Sequence, residues 1–417
     1  MLAIFPSLRD AVYQSVGGDL LTGGIPRRRE IARSWWRRLR LAGVSDAALL
    51  SQLRQVSAIG PAEAAELGME LAAGVKTWAE PPLRAALARC LAQMPALLRR
   101  ELQVAGARQT IPTGPADLLP LLPQRVPSFL PNTRREELGD LILGEFRGGG
   151  NFAEVYEARN PSRPNEPPQA VKLSFHPDGR HLLAHEAWMN DLIRRRGCRR
   201  GVLPVLALCL DAEVPALIYP AVSGFNLREI LEGWHRCGRL PEPRWVAVLM
   251  YRLARVLGEV HACLFVHRDL KPGNLMIGRF DGGRNDILLI DLGIAGPAAG
   301  LAGDHWPQAA ERRRIIDRVL IYGHSPLYAS PSQRRHEISR ACDDVYAAGV
   351  IAIQALIGDF AQRVERLPWQ AMLAARGVPG EFVNILASCV ALEEHRRPAD
   401  GHELADRLEE IIYNAEW

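Results

Sequence analysis

The sequence predicts an α+β chain in which a strand-rich segment is followed by a helix-rich one, with an all-α region ahead of both. Three observations carry this. Short apolar segments broken by Gly, Asn and Pro run from Leu141 to about residue 222, as in a small sheet. After Gly224, long segments with helical spacing run to the C-terminus. Six prolines (Pro112, Pro115, Pro120, Pro123, Pro127, Pro131) mark a semi-rigid connection ahead of the first strand.

In chain order, Arg28 to Leu41 places Ile31, Trp35, Trp36 and Leu39 at helical spacing, with Arg29, Arg33, Arg37 and Arg40 elsewhere on the surface. Pro61 suits the first turn of another helix. Pro81 and Pro82 punctuate before Leu83–Leu102, again apolar every three to four residues. The expected division is a helical region over 1–110, a proline-rich linker over 111–137 and a third region over 138–417. In that third region a helix near residues 181–195 interrupts the strands. No repeat of fixed period is present.

Composition excludes several classes. At 417 residues the chain can hold two or three cores, and its 48% apolar and 24% charged content is that of a globular protein. A net charge of +4 gives no reason to expect a nucleic-acid partner. The seven cysteines (Cys90, Cys198, Cys209, Cys237, Cys263, Cys342, Cys389) contain no C-x-x-C pair, which fits buried thiols in a reducing cytoplasm. The longest apolar candidate, residues 201–222, contains Asp211, Glu213 and three prolines, so no membrane span is expected. No basic region precedes an apolar run at the N-terminus, so no signal peptide is expected.

Only three of the 51 basic residues are lysine: Lys76, Lys172 and Lys271. Two of the three sit in segments that carry chemistry. Were the lysines scattered at random, both positions would be Lys once in about 425 (3×2 over 51×50). A compact ammonium and a planar guanidinium are not interchangeable where a point charge must reach a phosphate.

Those segments are three. Phe146 to Tyr156 contains Gly148, Gly149 and Gly150 between two predicted strands, where bare backbone N–H groups can approach phosphate oxygens. A lone glycine run is as well explained by a hairpin, but Lys172, in Ala170-Val171-Lys172, follows on the next apolar strand. His267-Arg268-Asp269-Leu270-Lys271-Pro272-Gly273-Asn274 puts an acid, a cation and an amide in one loop ahead of apolar Leu275-Met276-Ile277. Phosphoryl transfer needs positioning and charge neutralisation, and this loop can supply both. Asp269 can accept the proton of an attacking hydroxyl, Lys271 can balance the moving phosphoryl charge, and Asn274 can hold a magnesium ion through its amide oxygen. Ile287 to Gly293 is a buried strand ending in Asp291 and Gly293, 17 residues after Asn274, and Asp291 reads as the second magnesium ligand.

In these motifs and their order, roughly two thirds of the chain resembles the eukaryotic-like (Hanks-type) serine/threonine protein kinases. The resemblance implies a bilobal fold, with a small β-rich N-lobe and a helical C-lobe, using ATP and Mg2+ on Ser/Thr hydroxyls of protein substrates. It implies that the glycine loop, with Val155 and Ala170, covers ATP, and that Lys172 contacts its α and β phosphates. Glu186, on the interrupting helix, is the implied partner of Lys172. Tyr219, Ala221 and Val222 resemble the hinge that binds adenine, and Leu275 lies among the nucleotide-binding positions. Asp344, in Cys342-Asp343-Asp344-Val345-Tyr346, matches the carboxylate that braces the catalytic loop. Leu270-Lys271-Pro272 resembles serine/threonine kinases and not tyrosine kinases.

The chain departs from the family pattern at several positions. Ala153 stands for the third glycine, and Arg147 stands where the family prefers an aliphatic roof over adenine. Leu292 replaces the usual Phe, and Asn190 falls where an apolar residue is expected. In Tyr328-Ala329-Ser330-Pro331-Ser332, Ser332 replaces a Glu that would pair with Arg397, so that ion pair is expected to be missing or rewired.

The expected function is protein serine/threonine phosphorylation in the cytoplasm, with a regulatory or partner-binding helical region. A pseudokinase scaffold is the alternative raised by Ala153, Asn190 and Ser332. An aminoglycoside-type phosphotransferase would lack the L-K-P run after its catalytic Asp. The basic helix around Trp35 could meet a membrane surface, a nucleic acid or an acidic partner, but a helix packing its Trp face under solvated arginines is the simpler expectation.

Overall fold

The computed structural model describes residues 127–149, 152–279, 286–297 and 323–414, with isolated positions between 60 and 100. The expected helical region as a whole therefore lies outside the described residues, as do Gly150 and most of the linker. The isolated positions from 62 to 100 that are described are helical. Two compact units emerge, one over residues 1–176 and 211–221 and the other over 177–210 and 222–417.

The first unit is an antiparallel sheet. It begins at β1 (Thr133–Arg135), inside the stretch read as linker, and continues through β2 (Leu141–Gly149), β3 (Glu154–Arg159) and β4 (Gln169–Leu173). The chain then forms α1 (Gly179–Arg195) and β5 (Ala207–Cys209) in the second unit, and returns as β6 (Ala216–Pro220). Within this unit the strands lie in the order β1-β2-β3-β4-β6.

Register sorts the side chains onto two faces, because residues directly opposite on paired strands share a face. One row runs Phe146, Tyr156, Val171, Ile218, and all four are buried. The phenyl of Phe129 packs on Tyr156 edge to ring, with centroids 6.1 Å apart. The other face carries Gly148, Val155, Lys172 and Leu217 in one row and Glu157, Ala170 and Tyr219 in the next. Its Val155, Lys172, Ala170 and Tyr219 are all half-buried.

Chain ahead of β1 is fastened to this sheet. Ser128 donates from N and Oγ to Glu154, and the Phe129 N–H donates to Tyr156 Oη at 3.1 Å. A register shift in β2 around Phe146 takes its N–H out of the regular ladder. That N–H donates to Oε1 of the fully buried Gln93 at 2.7 Å, and Arg100 Nη1 donates to the Arg147 carbonyl at 2.9 Å.

The second unit is mainly helical. Past the hairpin strand β7 (Ser223–Asn226) come α2 (Leu227–Arg236) and α3 (Pro243–Ala262). A loop flanked by β8 (Phe265–Val266) and β9 (Leu275–Arg279) follows, then β10 (Asp286–Leu289) and β11 (Gly296–Pro297). The C-terminal segment comprises α4 (Pro331–Arg334), α5 (Ala341–Ile357), α6 (Trp369–Ala375), α7 (Gly380–Cys389) and α8 (Gly401–Asn414). Helix α5 is mostly apolar and is buried along nearly its whole length, with α3, α7 and α8 packed about it. Strands pair as β10-β9-β7 and β11-β8, and these two small pairings hold the ends of the loop from His267 to Asn274. Among the described residues no helix is long and apolar enough to cross a membrane. Cys198, Cys263, Cys342 and Cys389 are buried free thiols, and burial pushes Cys342 up to about 11, which keeps it protonated.

Candidate active site

Strand β8 delivers the chain to His267, Arg268 and Asp269, and β9 carries it away after Asn274. Within this loop Lys271 Nζ donates to Asp269 Oδ2 at 2.5 Å. Asn274 Nδ2 donates to the Asp269 carbonyl at 2.8 Å and to the same Oδ2 at 3.2 Å. One carboxylate oxygen is thus held twice, while Oδ1 has no hydrogen-bond partner among the described residues. A carboxylate so fixed keeps one oxygen available to accept a proton from a hydroxyl. Lys271 Nζ also donates to Ser325 Oγ at 3.2 Å, which ties Asp269 to the segment leading into α4.

With its amide nitrogen committed to Asp269, Asn274 has its carbonyl oxygen left for a cation. The Ile290 N–H donates to the backbone carbonyl of Asn274, not to its side-chain amide oxygen, at 2.9 Å and so places Asp291 beside the loop. Asp291 has φ of 65°, a left-handed conformation that a non-glycine residue adopts only under constraint. The next turn is crowded. A Cβ on Gly293 would lie 3.3 Å from Asp291 Oδ1 and 3.5 Å from Glu186 Oε2, so Glu186, from α1, stands close to this turn. Helix α1 is further tied to the same segment by His185 Nε2, 2.9 Å from the Ala295 carbonyl. Asn190 on α1 is buried, as an apolar residue would be, and its amide donates to the Leu203 carbonyl at 2.6 Å. Nearby, Arg194 and Arg196 donate to the Val202 and Cys263 carbonyls.

Asp344 braces the loop from α5. Its carboxylate accepts from the His267 N–H at 2.7 Å, the Arg268 N–H at 2.9 Å and His261 Nε2 at 3.1 Å. Burial alone would raise its pKa, but the His261 hydrogen bond and the charges of His261 and His267 outweigh it and hold Asp344 below its ordinary value. These bonds fix Arg268 at φ 70°, again left-handed. The Arg268 guanidinium is desolvated, which pushes its pKa down to about 10 against the opposing charges of Asp344 and Asp343. Its Nη2 donates to the Pro297 carbonyl at 3.1 Å. Gly296 leaves room for this guanidinium: a Cβ there would lie 2.8 Å from Arg268 Cζ, so the guanidinium would have to shift.

The segment after Ser325 is rewired as Ser332 suggests. Arg397 Nη1 lies 3.2 Å from Asp343 Oδ1, and the same oxygen accepts from Ser330 Oγ at 2.6 Å and Ser332 Oγ at 2.7 Å. Gln333, which sequence reasoning did not single out, donates from Nε2 to the Arg268 carbonyl at 2.9 Å. It links α4 to the residue before Asp269. Its only signal in the sequence is a Gln three residues after Ser330, the spacing of a capping box, which indeed forms here.

In the first unit, Gly148, Val155, Ala170, Lys172 and Tyr219 share one face of the sheet, and the Ala221 N–H donates to the Pro168 carbonyl at 3.1 Å. Val222 and Leu275 belong to the second unit, Leu275 being buried at the start of β9. Of the predicted residues, the structure therefore brings Asp269, Lys271 and Asn274 into direct contact, with Glu186 and Asp291 about Gly293.

No protein-family model matches the chain. Among curated proteins, it is 26% identical to the serine/threonine-protein kinase PknD of Chlamydia caviae over 42% of this chain and 21% of that protein. It is 23% identical to PknD of Protochlamydia amoebophila over 70% of this chain and 33% of that protein. The chain thus spans a third or less of the length of these relatives. Among solved structures, the kinase domain of Mycobacterium tuberculosis PknI is similar, with a TM-score of 0.46 at 19% identity, covering 68% of this chain and 99% of that one.

Proposed function

We infer that this chain, a Hanks-type serine/threonine protein kinase by its motifs and its curated relatives, transfers the γ-phosphoryl group of ATP to Ser and Thr hydroxyls of cytoplasmic proteins, with Mg2+. The observation that carries it is the state of Asp269. Its Oδ2 is fixed by Lys271 and Asn274, its Oδ1 is without a partner among the described residues, and Lys271 reaches on to Ser325. A hydroxyl presented at Oδ1 would give its proton to Asp269 while Lys271 balances charge on the phosphoryl group.

Asn274 Oδ1 and the Asp291 carboxylate offer one neutral and one anionic oxygen, a donor set suited to a hard cation that keeps water and phosphate oxygens as its remaining ligands. When bound, Mg2+ would neutralise charge on the phosphates. Lys172 is the proposed contact to the α and β phosphates, and Glu186 the residue that orders it. The departures that raised a pseudokinase alternative do not remove a catalytic group. Asp343 supplies the carboxylate that residue 332 lacks, and Asn190 is satisfied by the Leu203 carbonyl. The helical region ahead of the sheet is proposed to regulate the enzyme or recruit partners.

The experiment is mass spectrometry of the full chain after incubation with magnesium and ATP. Phosphoserine or phosphothreonine on the chain or on an added protein supports the inference. Phosphate transfer to a small aminoglycoside alone, or no transfer at all, overturns it.

A further inference from the structure

Strand β2 takes two more residues than β3 to cover the stretch from Leu143 to Gly148. Leu143 to Phe146 is three steps along β2, while their partners Ala158 and Tyr156 are two apart. Phe146 to Gly148 is two steps, while Tyr156 and Val155 are adjacent. Bulges therefore flank Phe146 on both sides. The second bulge decides which residue meets the proposed phosphate-binding lysine. In a regular ladder Arg147 would stand opposite Val155. With the bulge Gly148 stands there, and Val155 in turn stands opposite Lys172. A residue without a side chain thus joins the row of Val155 and Lys172, and leaves the backbone open to a phosphate.

A bulge takes backbone groups out of the ladder, and each of them needs another partner when buried. At β2 both partners come from one stretch upstream. The Phe146 N–H donates to Gln93 Oε1 at 2.7 Å, and the Arg147 carbonyl accepts from Arg100 Nη1 at 2.9 Å. Gln93 and Arg100 both occupy helical positions. Gln93 is fully buried, and its Nε2 has no hydrogen-bond partner among the described residues. A buried donor left unmade is destabilising, and an apolar side chain of similar size would fill the space without it. What Gln93 supplies and an apolar residue lacks is an acceptor for the bulged N–H.

Resting on the proposed function, in which Gly148 and Lys172 meet the phosphates of ATP, we propose that Gln93 is a positioning residue for the nucleotide site. Its Oε1 holds β2 in the bulged register that sets Gly148, and not Arg147, in the row of Lys172. Without that acceptor the regular ladder competes, one residue out of step, and brings the Arg147 side chain into that row. Gln93 thereby acts on phosphate binding through the backbone of β2 and touches no nucleotide.

The test compares the full wild-type chain with Gln93→Met, which fills the space without an acceptor, and Gln93→Glu, which keeps an acceptor at the same reach. Calorimetry well below each melting temperature gives the dissociation constant for magnesium-ATP. Gln93→Met weakens binding about tenfold, and Gln93→Glu stays within about threefold of wild type. Wild-type affinity in folded Gln93→Met overturns the inference and leaves the proposed function standing, because the bond then serves the fold alone. Equal weakening in both variants also overturns it, because the acceptor is then not what matters. Hydrogen exchange of the wild type, read by mass spectrometry with and without magnesium-ATP, decides the matter should Gln93→Met not fold. By linkage, a ligand that favours the bulged register slows exchange in the peptide carrying Gln93 as well as in β2. Exchange around Gln93 that magnesium-ATP leaves unchanged overturns the inference. A wild type that does not bind magnesium-ATP overturns the proposed function and this inference with it.

Discussion

Arg397 is paired with Asp343: Nη1 is 3.2 Å from Oδ1, and both side chains are fully buried. Ser330 and Ser332 donate to the same carboxylate oxygen, so the charge on Asp343 is shared by a cation and two hydroxyls. Removing one partner of a buried pair leaves an uncompensated charge, which costs about 3–5 kcal/mol. Asp343→Ala should therefore lose about that much unfolding free energy in urea. Ser332→Ala, which removes one hydroxyl donor, should lose about 1 kcal/mol. A Ser332→Ala loss as large as that of Asp343→Ala would show that the serine, not the carboxylate, holds this segment.

Asp344 should make stability depend on acid. Its folded pKa lies below the ordinary value, through His261 and His267 despite burial. A depressed carboxylate contributes stability that is present above the unfolded value of about 3.9 and is lost as pH falls through the lower folded value. Unfolding free energy of the wild type should fall as pH drops below about 4. The Asp344→Asn variant, less stable at neutral pH, should show a flatter profile over that interval. Parallel profiles would contradict the assignment of this carboxylate as the charged brace of the loop.

Ordering of the segment after Asp291 should not require Ser/Thr phosphorylation. From Asp291 to His324 there is no Ser and no Thr. Arg268 is neutralised in part by Asp344 and Asp343, and its Nη2 bonds to the Pro297 carbonyl. Asp304, Glu311 and Asp317, the acidic residues of this segment that could instead face Arg268, lie outside the described residues, as does Tyr322. Treatment with a Ser/Thr phosphatase should leave the phosphorylation rate unchanged within about twofold. A rate that falls severalfold after this treatment, or one that depends on a phosphate at Tyr322, would show that a phosphate and not Asp343 and Asp344 orders the segment.

The sheet should need chain upstream of residue 134. A fragment starting near Arg134 satisfies the motif boundaries, but it discards Ser128 and Phe129, which bond to Glu154 and Tyr156, and Gln93, which takes the Phe146 N–H. Each buried group left without a partner costs about 1–3 kcal/mol. Residues 134–417 should therefore melt below residues 127–417, and both below the full chain, with and without magnesium-ATP. Equal melting of all three would return the boundary to the place that composition suggests.

The contrast between these two boundaries shows what the sequence makes legible. Lys172, Asp269, Lys271, Asn274 and Asp291 stand out because phosphate chemistry restricts residue type and spacing within short segments. The strand-rich and helix-rich regions are legible from apolar period alone. Partnerships across long separations are not. Ser332 announces that a carboxylate is missing, yet nothing local says that Asp343, beside the brace Asp344, replaces it. Gln93 reads as one polar residue in an apolar helix, and only folding brings it to a shifted register 53 residues away. Asn190 looks misplaced on α1 until the Leu203 carbonyl is found against it. The six prolines suggest a connection detached from the sheet, whereas Ser128 and Phe129 are bonded to β3.

Asp269 is the centre of the account, and one variant tests it most directly. Asp269→Asn preserves size and can still accept from Lys271, but it cannot take the proton of an attacking hydroxyl. Phosphoryl transfer from ATP to protein Ser/Thr should fall by about 10²-fold to 10⁴-fold, with the dissociation constant for magnesium-ATP unchanged within about twofold. Transfer at the wild-type rate in Asp269→Asn, or nucleotide affinity lost in proportion to rate, would contradict the role given to this carboxylate.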